Sequence, residues 1–187
     1  GSLYEDFFTG DVTVTANLIN AGVEATTASF RAPAVYATKG VDGSDMDWTI
    51  TRFALLDLDG DGADELVLNI DFSGEEEYVI LTCYDGAVYA NQVVYRGFLS
   101  PKADGTFEWS NGAFDNGASR ARFENGVLVY DDFAAMSEGS DGNAVYTLNG
   151  ESIDEAANSA FLDEQAAKDD LAWTEFSVDA VNAALAG

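Results

Sequence analysis

The stretch Phe53-Ala-Leu-Leu-Asp57-Leu-Asp59-Gly-Asp61-Gly62-Ala63-Asp64-Glu65-Leu-Val-Leu-Asn-Ile70 sets two apolar segments of strand character on either side of an acidic loop. Counting Asp57 as position one, acids fall at positions one, three, five and nine, with glycine at six. That is the arrangement of a calcium loop. Alternate carboxylates converge on one point, a glycine permits the sharp bend, and a main-chain carbonyl at position seven completes the ring. Position twelve is Leu68, which cannot ligate, and Leu66, Leu68 and Ile70 alternate with Val67 and Asn69 as a strand does. The spacing therefore predicts a shortened, strand-flanked loop. Its ligands are the side chains of Asp57, Asp59, Asp61 and Glu65 and the carbonyl of Ala63, with Asp64 pointing outward.

Carboxylates held this close repel one another. At about 4 Å and an effective dielectric of about 20, each pair costs at most about 4 kcal/mol, so a cation turns a splaying force into binding energy. All-oxygen ligands and the absence of histidine select a hard cation, and Ca²⁺ over Mg²⁺. Without a bidentate twelfth-position Glu, the affinity expected is that of extracellular modules, roughly 10⁻⁴ to 10⁻³ M. Asp-Gly pairs also make ordinary solvated turns. The ligand spacing is what separates this loop from one.

The 187 residues suffice for a single domain, 47% of them hydrophobic and 12% aromatic, as expected of a chain that buries a core. The net charge of −26 repels nucleic acid and anionic membrane surfaces alike. Cys83 is the sole cysteine, so no intrachain disulfide forms; its place in Val79-Ile-Leu-Thr-Cys-Tyr84 predicts a buried, inert thiol. A disulfide-free secreted domain suits a Gram-positive surface. No apolar run reaches the length of a transmembrane span. Gly1-Ser2 has the look of a cloning remnant, and a signal or anchor upstream would already have been removed.

Around the loop the chain reads as a mainly β or α+β fold: an antiparallel β-meander with a short N-terminal helical turn and C-terminal helices packed on the sheet. Leu3–Phe8 suits the helical turn, and Val12–Leu18 alternates as a strand. Thr26–Phe30 and Ala34–Ala37 read as short strands. Val41–Asp47 is a second acidic cluster that lacks the glycine at six and reads as a turn. Residues 49–148 form the meander core. Its hairpins are marked by Asp85-Gly86, Asn125-Gly126 and Asn149-Gly150. Residues 152–186 are helical: Ser152 with Glu155 forms a capping box for a helix running to about Lys168, and Ser177 opens a second over Val178–Leu185.

The Asp57–Glu65 loop between strands resembles the calcium loops of FG-GAP and VCBS-type repeats in β-propellers, present here in one copy. More broadly, three features are similar to a group of uncharacterised secreted proteins and lipoproteins of Gram-positive gut bacteria. They are Phe53–Leu66, the Ile80–Gly86 hairpin, and Tyr146–Glu151 leading to an acidic helix and Trp173-Thr-Glu-Phe176. That resemblance covers roughly residues 49–176 and implies an extracellular or surface-anchored location and a calcium loop. It implies no activity.

The function these readings favour is an extracellular, calcium-stabilised binding or adhesion module whose partner is a glycan or a protein at the cell surface. Trp109, beside turn residues, and Trp48 are the candidate ligand contacts, since aromatic rings stack on sugars and on apolar patches. Trp173, Tyr89 and Tyr95 are further aromatics of the same kind. A structural domain of a larger surface protein is one alternative. Enzymes that need histidine are excluded, because the chain has none. A carboxylate-based glycoside hydrolase is the remaining catalytic option. No acid pair announces itself for that role, and Glu75–Glu77 reads as a solvated loop.

Overall fold

The computed structural model describes residue 4 and residues 13–20, 23–31, 48–72, 74–93 and 96–186. Among the described residues the fold is mostly β, with two sheets and, besides the helical Tyr4, two short helices. One sheet holds β1 (Thr13–Asn20), β2 (Val23–Arg31), β3 (Trp48–Leu56), β4 (Glu65–Phe72), β5 (Glu75–Tyr84), β6 (Ala87–Val93) and the two-residue β12 (Thr174–Glu175). Their spatial order is β12-β3-β4-β5-β6-β1-β2. The second contains β7 (Thr106–Gly112), β8 (Asp115–Glu124), β9 (Val127–Glu138), β10 (Ala144–Leu148) and β11 (Glu151–Ile153), ordered β11-β10-β9-β8-β7. The helices are α1 (Glu155–Ala166) and α2 (Val178–Leu185).

Two-residue turns set the hairpin registers. Asp85 and Gly86 have φ of 49° and 74°, and Asn125 and Gly126 have 53° and 82°, the doubly positive pair that matches strand twist. Antiparallel pairing then runs from β3 through β6 and from β7 through β11. One pairing departs from the expected antiparallel meander. β1 lies parallel to β6, Val14 opposite Val88, so the N-terminal hairpin is added at the far side of β6.

The central strands are apolar on both faces because both faces are covered. On one face Leu66, Leu68 and Ile70 of β4, Val79 and Leu81 of β5 and Val88 of β6 pack with Tyr4 and with Val181 of α2. On the other, Val67, Ile80 and Val93 meet Phe107, Ala121 and Leu128 of the second sheet, with Leu58 and Phe98 between. The layers are thus α2, seven strands, five strands, and α1 on the outer face of the second sheet. Thr106, which alternates with the inward Phe107, carries the contact to α1: its Oγ1 accepts from Gln165 Nε2 at 2.8 Å. Burying each large apolar side chain contributes about 1.5–3 kcal/mol.

Buried Asn91 fastens the two sheets. Its Oδ1 accepts from Leu128 N–H at 3.0 Å, and its Nδ2 donates to the Gly126 carbonyl at 3.0 Å and the Ile80 carbonyl at 3.4 Å. The side chain stands in for a piece of strand between β5 and the β8–β9 turn.

Several expectations are corrected. The meander is split between two sheets. Ser152 lies in β11, paired with Thr147 of β10, so Asp154 caps α1, its side chain accepting from Ala157 N–H. Ser177 caps α2 as its spacing predicts. Cys83 is exposed, because it sits near the end of β5 past the apolar residues that α2 covers. Glu75–Glu77 begin β5 and do not form a loop. The second acidic cluster, Ala34–Ala37 and all of the N-terminal turn except Tyr4, which is helical, lie outside the described residues. Among the described residues no helix is long and apolar enough to cross a membrane.

Candidate metal centre

The loop between β3 and β4 starts where Leu56 pairs with Glu65. Leu58 is turned inward and buried between the sheets. With Leu58 anchored, the remainder folds outward over it, and Gly62 takes φ of 91°, the sharp bend its position demands. Each aspartate is fixed by amides of the loop itself. Asp57 Oδ1 accepts from Gly60 N–H at 2.7 Å and its Oδ2 from Gly62 N–H at 3.0 Å. Asp59 Oδ1 accepts from Asp61 N–H at 3.1 Å, and Asp61 Oδ1 from Ala63 N–H at 2.8 Å.

These contacts leave the three carboxylates facing one another, with one oxygen from each within 4.8 Å of the others. Asp57 is half-buried; Asp59 and Asp61 are exposed. Desolvation raises the pKa of Asp59, and the neighbouring Asp61 and Asp57 charges add to it, against the Asp61 amide, which lowers it. Three hard anionic oxygens with no nitrogen or sulfur among them fit Ca²⁺. Asp57, Asp59 and Asp61 are the residues that would hold it.

Glu65 stands apart from that group. It is 3% exposed beneath the loop, its Oε2 accepting from Leu58 N–H at 3.0 Å and its Oε1 from the Thr82 hydroxyl at 3.1 Å. Burial, followed by the charge of Asp59, pushes its pKa up to about 7 against those two stabilising hydrogen bonds. The expectation that Glu65 joins the aspartates as a fourth ligand is therefore not met by this geometry; Glu65 props the loop from below. Ala63 is exposed on the loop and enters through its N–H to Asp61. Asp64 is exposed as expected, and its carbonyl lies 3.2 Å from the Tyr4 hydroxyl, which also lies 3.1 Å from the Leu81 carbonyl. Thr82 and Tyr4, which brace the site from other elements, carry no local sequence signal.

The two aromatic candidates lie elsewhere. Trp48 opens β3 opposite Phe72. Trp109, the candidate contact beside turn residues, is only 8% exposed on β7, its indole N–H donating to Asp132 Oδ1 at 2.9 Å and Ser119 Oγ at 3.0 Å. It does border a groove beneath α1. Trp173 is half-buried, 5.9 Å from Tyr78 between ring centroids, with the Arg52 guanidinium 4.8 Å above its ring. Set beside known proteins, the chain matches no family model, no curated protein and no solved structure, so its site is read from its own geometry.

Proposed function

We propose that the chain is an extracellular, calcium-stabilised binding domain of a secreted or surface-anchored protein, with a glycan or a protein at the cell surface as its partner. One observation carries the ion: the carboxylates of Asp57, Asp59 and Asp61 converge within 4.8 Å on a loop joining two strands of the core. Three carboxylates without a bidentate Glu make a weak site, which fills only where Ca²⁺ is abundant, outside the cell. The ion opposes mutual repulsion among the aspartates and so holds the β3–β4 hairpin closed. The net charge of −26 suits a neutral or cationic partner.

Thermal unfolding in chelator and in millimolar Ca²⁺ tests the ion. With Kd of roughly 10⁻⁴ to 10⁻³ M, a few millimolar Ca²⁺ stabilises the folded state by about 1–2 kcal/mol. For a chain of this size that raises Tm by about 2–8 °C. Asp59→Ala removes most of the difference. Superimposable melting curves in chelator and Ca²⁺ would count against the proposal.

A further inference from the structure

α1 does not fill the space beneath it. A helix lying on a sheet ordinarily buries an apolar stripe, yet the side chain α1 buries is Gln165, and Leu162 is 44% exposed. Polar contacts fasten the helix at its C-terminal end. Gln165 bonds Thr106, the Lys168 ammonium pairs with Asp104 at 2.8 Å, and buried Lys102 reaches the carbonyls of Ala166 and Lys168 at 3.4 Å each. The middle of the helix is thereby held above strand positions occupied by Ala118 and Ala134, and a groove of about 250 Å³ remains between them. Phe161 and Leu162 line it from the helix, and Glu108 and Asn158, which carry a carboxylate and an amide, line the same groove. Neither of those two side chains has a hydrogen-bond partner among the described residues.

We propose that this groove is a binding site for a single saccharide ring. The assignment rests on reading the chain as a binding domain, but not on the ion. A pyranose has a flat C–H face and an edge of hydroxyls that both donate and accept. The groove offers small apolar residues and an aromatic ring for the first, and Glu108 and Asn158 for the second. A wholly apolar ligand would desolvate the Glu108 carboxylate without compensation. An anion would meet both that carboxylate and the net charge of the chain. The volume lies below the range of drug-sized pockets, which limits the occupant to about one ring.

Glucose, galactose, mannose and N-acetylglucosamine, each titrated to tens of millimolar into the ¹⁵N-labelled chain, test the site through the backbone amides of Gly117, Ala118 and Ala134. At least one sugar is expected to shift these amides saturably. Asn158→Ala, on the rim, weakens that sugar about tenfold, the loss of one good hydrogen bond. Ala134→Leu, which fills the groove, abolishes the shifts; the melting curve of each variant reports whether it folds. No shift at these amides with any of the four sugars, or the same affinity in Asn158→Ala, overturns the assignment. Saturable shifts in a chain whose melting ignores Ca²⁺ uphold the groove and sink the ion. Calcium-dependent melting with silent amides sinks the groove alone.

Discussion

Asn91→Ala isolates the polar pin between the sheets. The side chain is fully buried, and truncation leaves the Leu128 N–H and the Gly126 carbonyl without the partners they have at 3.0 Å. Leu128 and Gly126 are both buried, so water cannot replace the amide without opening the interface. Each orphaned group costs about 1–3 kcal/mol, and the Ile80 carbonyl at 3.4 Å adds little. The expected loss is about 2–6 kcal/mol, or a fall in Tm of roughly 4–24 °C for a chain of this size. Urea unfolding followed by tryptophan fluorescence reads this directly, as a lower midpoint at unchanged slope. Asn91→Leu keeps the volume and loses the same hydrogen bonds, so it falls with alanine if the bonds matter. A loss under about 1 kcal/mol in both variants would refute the reasoning: apolar packing alone would then hold the sheets together.

Two further outcomes follow from local geometry. Gly126→Ala places a Cβ 2.3 Å from the Tyr89 ring at φ of 82°, whereas Gly86→Ala, at φ of 74°, meets nothing within 4 Å. Denaturation should show the first losing clearly more than the roughly 1 kcal/mol of backbone strain expected of the second; equal losses would mean the β8–β9 turn does not dock on β6. Glu65 gives a pH dependence. Its folded pKa of about 7 lies above the ordinary 4.5, so the folded chain binds the extra proton, and stability in chelator declines as pH rises from about 4.5 to 7. The drop is roughly 3 kcal/mol for this group. Glu65→Gln should flatten the slope, and an identical slope in that variant would assign it to other groups.

How far the sequence discloses this molecule depends on how local each cause is. Asp85-Gly86 and Asn125-Gly126 need only their own backbone to make a tight turn, and they sit where the strands reverse. Ser177 caps α2 as read, because nothing competes for it. Ser152 does not cap α1, since β10 recruits it as a strand partner, a contact invisible to a four-residue motif, and Asp154 supplies the same oxygen two residues later. The aspartates of the loop converge as their spacing demands. Glu65 departs from that reading because it is also the first residue of β4, and strand geometry turns it toward Thr82. The division of one meander into two sheets comes from long-range packing of faces, for which no short stretch carries a sign. The burial of Trp109 comes from the same source, since Ser119 and Asp132 are supplied by β8 and β9.

The heavy acidity of the chain makes the ionic specificity of the loop decisive. Any salt will relieve general repulsion among the 34 acidic residues, and Ca²⁺ does so as well as Na⁺. The carboxylates at the loop, however, lie within 4.8 Å of one another, inside the screening length of about 8 Å at 0.15 M salt. Monovalent ions therefore leave that repulsion largely in place, and relief requires an ion seated among the oxygens. A gain in Tm from Ca²⁺ should persist at 0.15 M NaCl, be smaller with equimolar Mg²⁺, which demands a stricter octahedron, and vanish in Asp59→Ala. Were NaCl to consume the whole gain, or Asp59→Ala to keep it, the acids of the loop would be acting as part of a diffuse surface charge and not as a coordination sphere.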